Sequence, residues 1–128
     1  MVVGILQFDL HVHDAASLKD KRRVVLSVKD RLRRGHHASV AEVGLQETWN
    51  VARLGLAVVG NDGKHIGNVL DKITAELRAL HDAELGATSR EILHGCEIEG
   101  RAADETDESE IAAEMRHRAE EMGEEGTR

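Results

Sequence analysis

Apolar and polar positions alternate over residues 1–13. Val2, Leu6, Phe8, Leu10 and Val12 share one parity, with Gly4 among them, and Val3, Ile5, Gln7, Asp9, His11 and His13 share the other. A period of two held over this length predicts a half-buried strand. The period then changes. Within residues 17–34, at 3.6 residues per turn, Leu18, Val25, Val28 and Leu32 fall in one stripe with Val24 at its edge, which predicts an amphipathic helix. Ser17 followed by Asp20 is a Ser-x-x-acid start signal, and Gly35 is the expected stop.

Residues 38–45 read as a second strand. Its core face is ambiguous because Val40 and Val43 have opposite parity, and a bulge would reconcile them. A polar connection, 46–50, holds Trp49, which is expected to pack. Residues 51–60 form a third strand, with Leu54, Leu56 and Val58 inward and Arg53, Gly55, Ala57 and Val59 outward. Asn61 or Asp62 can cap a second helix, 64–81, whose stripe is Ile66, Val69, Leu70, Ile73, Leu77 and Leu80. Gly86 falls just past it. Residues 89–99 alternate again, with Ile92, His94, Cys96 and Ile98 on one face, as a fourth strand.

The order β-α-β-β-α-β, with one apolar face per helix, predicts an α+β ferredoxin-like domain over residues 1–100, a four-stranded antiparallel sheet with both helices on one side. The other side of the sheet stays bare. It carries Ile5, Gln7, Asp9, Arg53, Ala57 and Val59. A partly apolar open face invites a partner, either a second copy or something larger. A homo-oligomeric interaction module is therefore one functional reading, with Ile5, Gln7, Arg53, Ala57 and Val59 at the interface.

Charge adds a second reading. The first helix holds eight bases, Lys19, Lys21, Arg22, Arg23, Lys29, Arg31, Arg33 and Arg34, against Asp20 and Asp30. Lys19, Arg22, Lys29 and Arg33 lie beside the apolar stripe and are the candidate contacts to a phosphate backbone. Residues 101–128 carry ten Asp or Glu and four Arg, so they account for −6 of the net −7 and leave 1–100 near neutral. This acidic stretch is poor in large apolar residues and is expected to be disordered or marginally helical. A near-neutral body argues against a general nucleic-acid binder, and with Phe8 and Trp49 the only aromatics, base stacking on the sheet is disfavoured. What remains is backbone contact through the basic helix, which is salt-sensitive and blind to sequence. The single Cys96 allows no internal disulfide, residues 1–12 lack the features of a signal peptide, and no apolar run approaches a membrane span. A cytoplasmic protein is expected.

Candidate chemistry is sparse. His11-x-His13 has the spacing that aims two imidazoles at one ion. The amidohydrolases place such a pair at a barrel strand end, but that fold takes about 200 residues or more. A metal-dependent hydrolase is the weakest reading, and polar residues on the open face the plainer one. His94 and Cys96 share a parity and could touch the core, with no third residue to orient them for nucleophile chemistry, so a small buried polar pair is expected. Gly60-Asn61-Asp62-Gly63 lacks a phosphate-loop signature. No enzyme, metal or cofactor is expected.

The stretches Ser17-Leu18-Lys19-Asp20-Lys21-Arg22, Ser39-Val40-Ala41-Glu42-Val43, Gln46, Trp49 and Leu54-Gly55-Leu56-Ala57-Val58-Val59 with Asn61-Asp62 resemble the bacterial YlxP-like family, in order and spacing, over residues 1–99. The resemblance implies a ferredoxin-like fold. It also implies a setting near translation, since genes of that family often adjoin those for a translation initiation factor and ribosome-binding factor A. The turn His13-Asp14-Ala15-Ala16 departs from the family in lacking a proline, and Gly44 in not being polar. The expected function is a small non-enzymatic factor associated with ribosomal RNA or ribosomal particles.

Overall fold

A computed structural model describes residues 1–96 and Ile98. The expectations for the acidic stretch, and for a strand running on to residue 99, fall mostly outside these residues. Six elements follow in the expected order: β1 (Val2–His11), α1 (Leu18–His36), β2 (Ser39–Gly44), β3 (Val51–Gly60), α2 (Gly63–Arg78) and β4 (Glu84–His94). The sheet order is β2-β3-β1-β4, and each neighbouring pair is antiparallel. Each helix therefore crosses over one strand, which gives the split β-α-β arrangement of a ferredoxin-like fold.

The alternation in β1 and β3 sorts side chains as expected. Leu6, Phe8 and Leu10 meet Leu54, Leu56 and Val58 in one core with Val25, Val28 and Leu32 of α1 and Ile66, Leu70, Ile73 and Leu77 of α2. Gly4 lets α2 approach β1, since a Cβ there would lie 2.5 Å from Ile66 Cγ2. Both start signals work. Ser17 Oγ accepts from the Asp20 amide at 3.3 Å, Asp20 accepts from the Ala16 amide at 3.0 Å, and Asp62 accepts from the Lys64 amide at 3.3 Å.

Four local expectations need correcting. Helix α1 runs through Gly35, and the left-handed cap is His37, at φ 52°, whose amide donates to the Arg33 carbonyl. The bulge in β2 lies between Glu42 and Gly44, but it leaves Val43 on the open face over Gly55 and turns Glu42 towards the helices. Strand β4 begins at Glu84, so Gly86 lies inside it. Its apolar Leu85 and Ile92 differ in parity and still both pack on the core, because the β1–β4 register shifts between Phe8 and Leu10. His94 and Cys96 are exposed, and Cys96 lies past the strand, so neither reaches the core. Among the described residues no helix is long and apolar enough to cross a membrane.

Candidate functional site

The outer face of α1 is strongly basic. Lys19, Arg22, Arg23, Arg31, Arg33 and Arg34 are exposed and Lys29 is half-buried. Of the four bases singled out from the sequence, Lys19, Arg22 and Arg33 thus point outward. Lys29 lies lower on the flank. Arg33 Nη2 also donates to the Val40 carbonyl at 2.9 Å, which steers its guanidinium along the β2 edge. Arg23, Arg31 and Arg34 share a shallow surface with exposed Leu26 and with Ser27 and Asp30, and extend the basic face beyond the flank expected. Among the described residues, Lys21 is the one lysine or arginine of α1 within an ion pair, and His36 at the end of the helix lies 3.0 Å from Glu76 Oε2.

Lys21 is the residue that sequence reasoning missed. It is 1% exposed, and its Nζ donates to the carbonyls of Leu45 at 2.8 Å, Gln46 at 3.3 Å and Val51 at 3.4 Å, with Glu42 Oε2 3.3 Å away. A buried ammonium persists only where its charge and donors are met. Here they are met by the chain that links β2 to β3. Glu42 Oε2 is buried and, despite its closeness to Nζ, has no bond of good geometry, so the pairing there is chiefly Coulombic. Leu45 adopts a left-handed φ of 59° beside this cage. Trp49, expected to pack, is instead 49% exposed on the same connection. The signal was present: Lys21 falls within the apolar stripe, between Leu18 and Val25, at helical spacing.

The open face of the sheet carries Ile5, Gln7, Ala57 and Val59 as expected, with Arg53 paired to Asp9. Arg53 Nε and Nη2 donate to the two Asp9 oxygens at 2.7 and 3.0 Å, a bidentate pair. This hydrogen bonding holds the Asp9 carboxyl below its ordinary range, against the opposing effect of burial.

His11 and His13 stack with ring centroids 6.2 Å apart. His13 Nε2 lies 2.6 Å from Glu84 Oε2, which lowers the pKa of that carboxyl. Both side chains of the pair are largely exposed. Among the described residues no group of three or more His, Cys, Asp and Glu is placed to hold a metal ion. An open depression of about 370 Å³ beside them is lined by His13, Asp14, Arg78, His81, Asp82 and Glu84. Its acids and bases are of mixed sign, so it concentrates no single charge.

Comparison with known proteins agrees with the pattern of residues. Over 90 residues the chain is 27% identical to "Uncharacterized protein YlxP" of Bacillus subtilis (strain 168), covering 70% of this chain and 98% of that one. Among solved structures, a de novo designed protein with a ferredoxin fold is similar over 84% of this chain and 97% of its own, at 14% identity and a TM-score of 0.39. Residues 3–90 match the family described as "Protein of unknown function (DUF503)", and since that match spans more than half of its length, the chain belongs to this family.

Proposed function

We propose that the chain is a small, non-enzymatic cytoplasmic factor that binds ribosomal RNA or a ribosomal precursor through the outer face of α1. The observation that carries this reading is the row of exposed bases on one 19-residue helix. From Lys19 to Arg33 the helix rises about 21 Å. That is long enough to follow several backbone phosphates, which recur about every 3.4 Å of axis along one strand of a duplex. Lys19, Arg22 and Arg33 make the first contacts, Lys29 supports them from the flank, and Arg23, Arg31 and Arg34 widen the basic face.

The rest of the chain sets the character of the binding. The net charge of −7 keeps non-specific attraction to nucleic acid weak, so contact depends on presenting this one face. Cosedimentation of the full chain with ribosomal particles at low and moderate salt tests the reading. Charge reversal at Arg22, Lys29 and Arg33 together should release the protein from the particles. Unchanged cosedimentation would refute the assignment to α1, and absence from the particles at low salt would refute the partner.

A further inference from the structure

We infer that the open face of the sheet pairs with the same face of a second copy of this chain, about a two-fold axis running along the strands between β1 and β3. These are the two central strands of the order β2-β3-β1-β4, so such an axis lays β3 of one copy over β1 of the other without displacing either edge. The cross-strand pairs on this face then decide what meets what.

Two of those pairs are self-complementary. Ile5 lies opposite Ala57 in the register, so the two-fold seats each Ile5 over the second copy's Ala57, large on small. Asp9 lies opposite Arg53, so each carboxylate meets the second copy's guanidinium. Arg53 spends Nε and Nη2 on its own Asp9, which leaves Nη1 outside that pair to serve the second copy's carboxylate, completing a ring of four alternating charges. At the other end of the strands Val3 pairs with both Val59 and Leu93 in the register, and Val59 is 67% and Leu93 43% exposed. Val43, 51% exposed, leans over Gly55 on the same face. Three of the large apolar residues that the described chain exposes, Val43, Val59 and Leu93, are thus gathered or flanked here.

The area fits a dimer of limited strength. Ten residues at about 3.4 Å and four strands at about 4.8 Å give a footprint of roughly 600 Å². Two copies bury roughly 1,200 Å², the lower edge of specific interfaces, which implies a pair that dissociates on dilution. Both helices lie on the far side of the sheet, so the dimer leaves α1 exposed on each copy. The inference stands apart from the polyanion reading, and either can fail alone.

Sedimentation equilibrium of the full chain from about 1 μM to about 1 mM is the test, spanning weak to moderate association. The mass should rise from 14.1 kDa towards twice that value. Val59→Asp, at an exposed position, should keep the melting temperature and weaken association at least tenfold. Asp9→Arg with Arg53→Asp keeps the pair within each chain and the ring between two variant chains, but sets like charges together against wild type. Native mass spectrometry of a mixture should then show both homodimers and almost no heterodimer. A strict monomer at every concentration overturns the proposal and assigns the face to another occupant. Association untouched by Val59→Asp overturns the face, and free mixing of the swapped variant with wild type overturns the axis.

Discussion

Replacing Lys21 with methionine keeps the buried stem and removes the ammonium. The carbonyls of Leu45, Gln46 and Val51 lose their shared donor, and Glu42 Oε2 is left buried beside no cation. Removing one partner of a buried ion pair costs about 3–5 kcal/mol. The side chain of Glu42 is 19% exposed, so water makes good part of the loss, and two of the three carbonyl bonds are long. The expected cost is therefore at the low end, about 3 kcal/mol. For a domain of this size that is a fall of about 12–24 °C in Tm. Lys21→Met with Glu42→Met discards the stranded carboxylate and should be more stable than Lys21→Met alone. Urea unfolding followed by far-ultraviolet circular dichroism gives the global loss. Emission from Trp49, the single tryptophan, reports on the caged connection itself. A loss below about 1 kcal/mol, or a double variant less stable than the single one, would refute the view that this cage holds the connection.

Gly4→Ala should cost about 1–3 kcal/mol by overpacking, because its Cβ would meet Ile66, Val58 and Leu70 together; a urea midpoint equal to wild type would contradict this. Arg53→Gln should be less stable than wild type at neutral pH. Because Arg53 depresses the Asp9 pKa from 3.8, that gap is full above the unfolded value and closes as pH falls through the lower folded value; a gap that widens in acid would reverse the sign. Removing residues 101–128 takes away ten acids and four arginines, so RNA affinity by fluorescence anisotropy should rise as a net charge of −6 is lost, and no change would reject electrostatic weakening of binding by that stretch.

Periodicity made most of the fold readable. Ser17, Asp62 and the stripes Val25-Val28-Leu32 and Ile66-Leu70-Ile73-Leu77 each act as their spacing implies. The start of β4 was hidden because Leu85 and Ile92 reconcile only through an irregular register with β1, and that register is a property of two strands. Lys21 was hidden for a different reason. A charged residue inside an apolar stripe reads as solvated, and the partners that bury it are main-chain carbonyls 24–30 positions away, which no residue type announces. The outer bases of α1 were legible as a charged face. The split between exposed Arg22 and half-buried Lys29 was not, since it depends on how α1 leans on the sheet edge.

The salt dependence of binding to a ribosomal RNA fragment tests the role of α1 most directly. If Lys19, Arg22, Lys29 and Arg33 neutralise phosphates, log affinity should fall against log salt with a slope of about −2.8 to −3.6. Neutral replacements at Arg22, Lys29 and Arg33 should flatten that slope by about 2 to 3, with a stability loss of only about 1 kcal/mol from the lost Arg33–Val40 hydrogen bond. An affinity and slope unchanged by the three replacements, in a protein still folded, would contradict the claim.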